Sequence, residues 1–188
     1  MRAESLGKGL VILDRDGVIN HDSAAFIKNA TEWRPIAGSI EAIAALTAAG
    51  YTLAVASNQS GIARGLFDQD ALDAMHAKML RLVHEAGGHI SRIVTCPHGP
   101  DDACDCRKPK PGMLEQLARH FDTSLEGVAV IGDALRDLEA AAAVDARPIL
   151  VRTGKGRDTE AVLPGRFAGV PVYDDLAAAA RALIGEAA

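Results

Sequence analysis

Two aspartates one residue apart, Asp14 and Asp16, close an apolar run and open the segment DRDGVIN (Asp14–Asn20). In a continuing strand their Cβ atoms would point to opposite faces. Gly17 lets the chain turn, so that both carboxylates can face one crevice. Together with Asp133 they would repel one another unless a divalent cation neutralised them. Ligands that are all oxygen favour Mg²⁺, which keeps several waters and takes one or two carboxylates plus a substrate phosphate. The plain alternative is a turn that favours Asp and Gly. A second segment, SNQSGIARG (Ser57–Gly65), offers a hydroxyl, side-chain amides and glycine-freed backbone N–H groups, the donors a phosphoryl oxygen needs. Lys108 adds a point charge and Arg107 a planar fork suited to phosphate, against the ordinary fate of such residues as solvated surface charge. Arg64 stays open between ligand contact and surface.

A third constellation is CPHGPDDACDC, which spaces Cys96, His98, Cys104 and Cys106 as C-x-H-x5-C-x-C. Three thiolates and an imidazole within eleven residues suit tetrahedral Zn²⁺ with no coordination place left for a substrate water. Such a closed site is structural and pins a loop that has no core of its own. The alternative is a Cys96–Cys104 disulfide with one thiol to spare, but a reducing, cytosolic setting with a metal fits the cysteine usage better. His21, His76, His84, His89 and His120 have no clustered partners and read as surface or packing residues.

The elements that must position these groups follow from the hydrophobic pattern. The chain has 188 residues, 48% of them apolar and 24% charged, which is material for one domain over residues 1–188. Lys and Arg number 20 against 25 Asp and Glu, so the net charge is −5 and no global basic field exists to hold nucleic acid or an anionic membrane. No apolar run approaches the roughly 20 residues of a spanning helix. The opening segment, MRAESLGKGLVILDRDG, carries charges close to its apolar run and no small-residue cleavage site, so it does not read as a secretory signal. Buried strands are expected at Gly9–Leu13, Tyr51–Ser57, His89–Cys96, Gly127–Gly132 and Pro148–Arg152. Helices are expected at Ser39–Ala49, capped by Ser39, and at Asp70–Ala86, Pro111–Phe121, Leu135–Val144 and Asp174–Ile184. This alternation predicts an α/β domain in three layers, a mostly parallel sheet with helices on both faces. Ligands in such sheets sit beyond the carboxyl ends of the strands. Asp14 and Asp16, Ser57 to Gln59, and Asp133 and Asp137 all fall at those ends, while Arg107 and Lys108 lie just before a helix start.

With these residues assembled, the chain resembles the haloacid dehalogenase superfamily of phosphotransferases, whose fold is Rossmann-like. DRDGVIN corresponds to the first motif, Ser57 to the second, Lys108 to the third and GDALRD (Gly132–Asp137) to the fourth. More narrowly, it resembles the histidinol-phosphate and heptose-bisphosphate phosphatases, which share a zinc loop running into DCRKP (Asp105–Pro109). SNQSGIARG, RKPKPGM (Arg107–Met113) and LVRTGKG (Leu150–Gly156) look like the heptose-bisphosphate branch. At motif level the resemblance spans Leu10 to Gly156.

The resemblance implies a covalent mechanism with Asp14 as nucleophile and Asp16 as the acid that protonates the leaving oxygen, then as base toward water. The first task requires Asp16 to have a pKa raised relative to that of Asp14. It implies Mg²⁺ on Asp14, the backbone carbonyl of Asp16 and Asp133, with structural Zn²⁺ on the cysteine–histidine set. Ser57 and Lys108 would stabilise the transferring phosphoryl group, and Asp22, Asn58, Gln59, Ser60, Arg107 and Lys108 would contact substrate. The implied activity is release of the C7 phosphate of a heptose bisphosphate, on the route to nucleotide-activated heptose for surface glycans. The expected setting is a cytosolic monomer whose partner is a small phosphorylated sugar, with no nucleic-acid or membrane partner. A histidinol-phosphate phosphatase is the near rival, and a non-catalytic phosphosugar binder the rival of another class. Two positions depart from the family pattern: Ala134 stands where a Lys is usual, with Arg136 as a replacement cation, and Ser23-Ala24-Ala25 replaces a bulkier sugar-contacting stretch. Neither segment where the superfamily inserts a cap has room for one, so no cap domain is expected.

Overall fold

The first strand, β1 (Gly9–Leu13), sends Leu10 and Ile12 to one face of the sheet and Val11 and Leu13 to the other, and all four are buried. A strand buried on both faces belongs in a parallel sheet covered by helices on either side. The computed structural model, which describes residues 7–186, has this arrangement. Residues 1–6, which include part of the opening segment read above for a secretory signal, lie outside that range, as do 187–188.

The sheet contains β1, β2 (Tyr51–Asn58), β3 (Arg92–Cys96), β4 (Ala129–Gly132), β5 (Arg147–Val151) and β6 (Val172–Tyr173) in the order β3-β2-β1-β4-β5-β6, every pair parallel. Helices α1 (Ser39–Ala48), α2 (Gln69–Glu85) and α6 (Leu176–Glu186) pack on the face that presents Val11, Leu13, Leu53 and Val55. Helices α3 (Gly112–Phe121) and α4 (Leu135–Ala142) cover Leu10, Ile12, Ala54 and Ala56 on the other. The expected three-layer α/β/α sandwich is the observed one. Strand order reverses about β1, whose neighbours are β2 and β4, and a crevice must open there beyond the strand ends. Asp14 follows β1 and Asp133 follows β4, so the switch point is flanked by carboxylates.

Three details differ from the pattern-based expectation. Strand β3 starts at Arg92 rather than His89, because the His89 backbone N–H is taken by Thr47 Oγ1 at 3.0 Å and not by the sheet. Ser39 does not cap α1: its hydroxyl donates to the Val18 carbonyl at 2.9 Å, and the cap position is Gly38 in a left-handed conformation. The two-residue strand β6 and the six-residue helix α5 (Gly156–Ala161) are too short to leave a periodic trace in the sequence. Among the described residues, the span between β1 and α1 contains no helix, and that between β2 and β3 holds α2; no cap is built on either.

Candidate active site

Asp14 follows β1 directly, and its carboxyl is buried. Oδ1 accepts the Arg15 backbone N–H at 2.8 Å and lies 3.0 Å from Lys108 Nζ. Oδ2 takes no hydrogen bond among the described residues, and Asp14 lines the cavity described below. Burial pushes the Asp14 pKa up to about 6, against the pull of the Lys108 ammonium. Lys108 is itself buried: its Nζ sits 2.6 Å from Asp137 Oδ1 and donates to the Ala56 carbonyl at 2.7 Å. Burial alone would lower the Lys108 pKa, but the charges of Asp137 and Asp14 outweigh it and hold the ammonium protonated. One buried cation thus bridges two buried carboxylates and offsets the desolvation cost of both.

Asp133 completes an acidic cluster in which carboxylate oxygens of Asp14, Asp133 and Asp137 lie within 4.8 Å of one another. Its Oδ2 accepts the Lys155 backbone N–H at 2.8 Å, while Oδ1 is buried without a partner. Burial and the charge of Asp14 raise its pKa to about 7. The backbone presses close: Gly17 and Gly154 both have positive φ, and a Cβ on either would overlap Asp133 Oδ2. Thr153 Oγ1 donates to the Gly17 carbonyl at 2.6 Å and Thr159 Oγ1 to that of Asp133 at 2.9 Å, which ties the loop after β5 to the turn after β1. An orphaned buried carboxylate oxygen beside Asp14 and an Asp16 carbonyl that accepts no bond among the described residues form an all-oxygen donor set that fits Mg²⁺. Asp137 is occupied differently, by Lys108 and by the Ala134 backbone N–H at 3.0 Å, and so serves as a strut.

The Asp16 carboxylate is held from three sides. It receives the Arg15 fork at 2.9–3.1 Å, Asn20 Nδ2 at 2.8 Å and Gln59 Nε2 at 2.8 Å. Burial alone would raise its pKa, but the Arg15 charge and these hydrogen bonds hold it below the ordinary carboxylate value. This reverses the order expected from the mechanism, in which Asp16 is the more basic of the pair. The physical reason is Arg15, which the motif reading passed over. Its guanidinium is fully buried, and His76 packs 3.5 Å from it, kept neutral by burial and by that positive charge, with a pKa of about 4.

The remaining candidate residues line a cavity of about 260 Å³ above Asp14: Asp16, Asp22, Ser57, Asn58, Gln59, Ser60 and Arg107. Ser57 Oγ accepts from Gln59 Nε2 at 2.8 Å, which leaves its own proton for a ligand. Asn58 and Gln59 were expected to grip substrate through their amides, but those groups are already engaged. Asn58 clamps the Lys108 backbone, donating to its carbonyl at 3.0 Å and accepting its N–H at 3.1 Å. Gln59 is tied to Arg15, Asp16 and Ser57. Both side chains therefore fix the positions of their neighbours Lys108, Arg15, Asp16 and Ser57. Sequence reading missed the cavity wall made by Phe26 and Lys155; Arg136, expected as a replacement for the cation usual at 134, lines the cavity too, and Arg64 resolves to a position over the Phe26 ring, 5.7 Å from its centroid. Asp137, which the sequence pattern placed at this sheet edge, lies in the first turn of α4, where it is brought beside Asp133.

Away from the cavity lining, Cys96, His98, Cys104 and Cys106 converge. Cys96 Sγ lies 3.8 Å from Cys104 Sγ, 3.1 Å from Cys106 Sγ and 3.5 Å from His98 Nδ1, which is 3.3 Å from Cys106 Sγ. A tetrahedron with metal–sulfur bonds of about 2.3 Å has edges near about 3.8 Å, so the four atoms fit one Zn²⁺. None of the cysteines is in a disulfide. Arg107 Nη1 donates to the His98 carbonyl at 3.1 Å, so this loop also carries a cavity cation.

A parallel sheet with β1 at its switch point, a buried nucleophile-ready carboxylate there, and a lysine bridging it to a second acid define a phosphohydrolase of the haloacid dehalogenase type. Residues 105–179 match the HAD-hydrolase-like family model. The chain is 57% identical over 180 residues to D-glycero-β-D-manno-heptose-1,7-bisphosphate 7-phosphatase of Pseudomonas aeruginosa, covering 95% of this chain and 99% of that one. It is 58% identical over 179 residues to the protein of the same name from Pseudomonas putida, covering 93% and 99%. The crystal structure of D,D-heptose 1,7-bisphosphate phosphatase from Bordetella bronchiseptica, complexed with magnesium and phosphate, superposes with a TM-score of 0.92 at 53% identity, covering 95% of this chain and 99% of that one. The chain belongs to the heptose-bisphosphate phosphatase family of the haloacid dehalogenase superfamily.

Proposed function

We propose that this chain is a Mg²⁺-dependent phosphatase that removes the C7 phosphate of D-glycero-β-D-manno-heptose 1,7-bisphosphate and leaves the anomeric phosphate in place. The observation that carries this reading is the asymmetry of Asp14, a residue of the cavity wall with one oxygen committed to Arg15 N–H and Lys108 and the other without a hydrogen-bond partner among the described residues. Asp14 Oδ2 attacks phosphorus in line as the bond from phosphorus to the sugar oxygen breaks, and Asp16 gives that oxygen its proton. A water then attacks the aspartyl phosphate, Asp16 takes a proton from it, and inorganic phosphate leaves. The dianionic phosphate arriving beside Asp16 raises its proton affinity above the resting value, as a like charge does. Ser57 donates to the transferring phosphoryl group, and Lys108 keeps Asp14 oriented. Asp14, Asp133 and the Asp16 carbonyl hold the Mg²⁺, whose charge offsets that developing on the phosphoryl oxygens.

Phosphate release with Mg²⁺ from both anomers of the heptose 1,7-bisphosphate, from fructose 1,6-bisphosphate and from histidinol phosphate tests the substrate. The expected result is a strong preference for the β-heptose. Preference for histidinol phosphate keeps the mechanism and overturns the substrate, and turnover of none of them moves the chain to the non-catalytic class.

The same reading places Zn²⁺ on Cys96, His98, Cys104 and Cys106, in a cytosolic monomer whose single domain runs over residues 1–188. Unpaired thiols suit a reducing compartment, and among the described residues no helix is long and apolar enough to cross a membrane. Because Arg107 hangs from the His98 carbonyl, Cys104→Ser is expected to release zinc and raise KM more than it lowers kcat. Elemental analysis with steady-state kinetics checks this; unchanged metal content would sink the zinc assignment.

A further inference from the structure

Asp16 is fixed by Arg15, and Arg15 must itself be fixed. Its guanidinium is buried and carries five N–H donors. Nε donates to Asp16 Oδ1 at 3.1 Å, and Nη2 is shared between Asp16, at 2.9 and 3.0 Å, and Gln59 Oε1 at 3.1 Å. Nη1 has neither acid nor amide. Its one partner among the described residues is Nε2 of His76, 61 residues further along the chain and 3.5 Å away. His76 belongs to α2, whose Leu72, Met75 and Met79 enter the core, and it is not among the residues that line the cavity.

A guanidinium has no acceptor atom, so the ring must accept, which requires it neutral with its proton on Nδ1. The surroundings agree: burial and the Arg15 charge disfavour a charged ring and outweigh Asp73 and Asp16, which favour one. At 3.5 Å the contact is long for a hydrogen bond, so it steers the guanidinium more than it binds it. Without it, Nη1 would be a buried donor with no acceptor, a costly state relieved by rotation of the fork away from Asp16. We infer that His76 is a positioning residue for the proton transfers: its ring accepts Nη1–H of Arg15 and so fixes, through the fork, where the Asp16 carboxylate sits. This rests on the phosphatase reading above, in which Asp16 gives and takes the proton.

Two-bond proton–nitrogen spectra of the nitrogen-15-labelled protein at pH 7, with His76→Gln to assign the ring, read the tautomer directly. The expected ring is neutral with its proton on Nδ1. A proton on Nε2 leaves that atom nothing to accept with and overturns the inference. Kinetics separate positioning from packing, with wild type, His76→Leu and His76→Gln compared on the heptose 1,7-bisphosphate with Mg²⁺ and kcat expressed per folded molecule. His76→Leu fills the space without an acceptor, and kcat is expected to fall about tenfold at unchanged KM, as for loss of one hydrogen bond to a charged group. His76→Gln offers an amide oxygen to Nη1 and is expected to recover most of the loss. Packing alone predicts that Gln does no better than Leu, and that result overturns the inference, as does a loss carried by KM. The spectra need no turnover, so failure of the phosphatase reading is seen separately, as a wild-type protein with the expected tautomer and no phosphate release, and that result overturns both.

Discussion

Replacing Asp14 by Asn is expected to lower kcat by at least about 10⁴-fold, because the amide cannot form the acyl phosphate of the proposed mechanism. Folding should survive. Burial has already raised the Asp14 pKa to about 6 from an ordinary 3.8, so keeping this carboxylate ionised near neutral pH works against the folded state. The variant is therefore expected to melt no lower than wild type at pH 8. A phosphate-release assay paired with a thermal melt separates the outcomes: substantial turnover in a correctly folded Asn variant removes the covalent mechanism.

The second large effect is at Lys108, where loss of function and loss of stability should come together. Lys108→Met leaves the buried carboxylates of Asp14 and Asp137 facing one another without their shared cation. Breaking a buried ion pair from one side costs about 3–5 kcal/mol, and kcat is expected to fall as the nucleophile loses its orientation. The pH dependence has a definite sign. A folded-state carboxyl pKa above the unfolded value means that the folded protein binds more protons, so stability is lost as pH rises through the interval between the two. Wild-type Asp14 has that interval between 3.8 and about 6. Removing the Lys108 charge pushes the upper limit higher, so the deficit of Lys108→Met should be smaller at pH 5 than at pH 8. Urea unfolding at the two pH values measures it; an equal deficit at both would mean that the ammonium acts through packing alone.

The layered fold was legible because β1 and β2 are continuous apolar runs and the helices repeat Ile, Leu and Met at helical spacing. The chemistry at the strand ends was legible for a related reason: carboxylates and hydroxyls that stop an apolar run must sit at an edge. What the pattern could not show was which polar atoms are already used. Asn58 and Gln59 look like ligand donors in SNQSGIARG, but only coordinates reveal that one clamps the Lys108 backbone and the other bridges Arg15, Asp16 and Ser57. The same holds for Arg15, whose position between two aspartates gives no hint that its side chain folds back onto Asp16 and lowers its pKa. Ser39 illustrates the local version. Its type and place suit a helix cap, yet a carbonyl 21 residues away takes its hydroxyl. Local propensity ranks the choices a residue has, and tertiary contacts select among them.

The loop after β5 has a consequence for the order in which the enzyme becomes competent during synthesis. Every acid, hydroxyl and lysine assigned to the reaction has been translated once Asp137 is in the chain. The backbone that orients Asp133 comes later, from Lys155 N–H and Thr159 Oγ1, and Thr153 ties it to Gly17 across 136 residues of sequence. A nascent chain that ends before β5 thus carries the reactive side chains without the wall that holds one of them, and the metal-binding pocket matures only as the last quarter of the protein emerges from the ribosome.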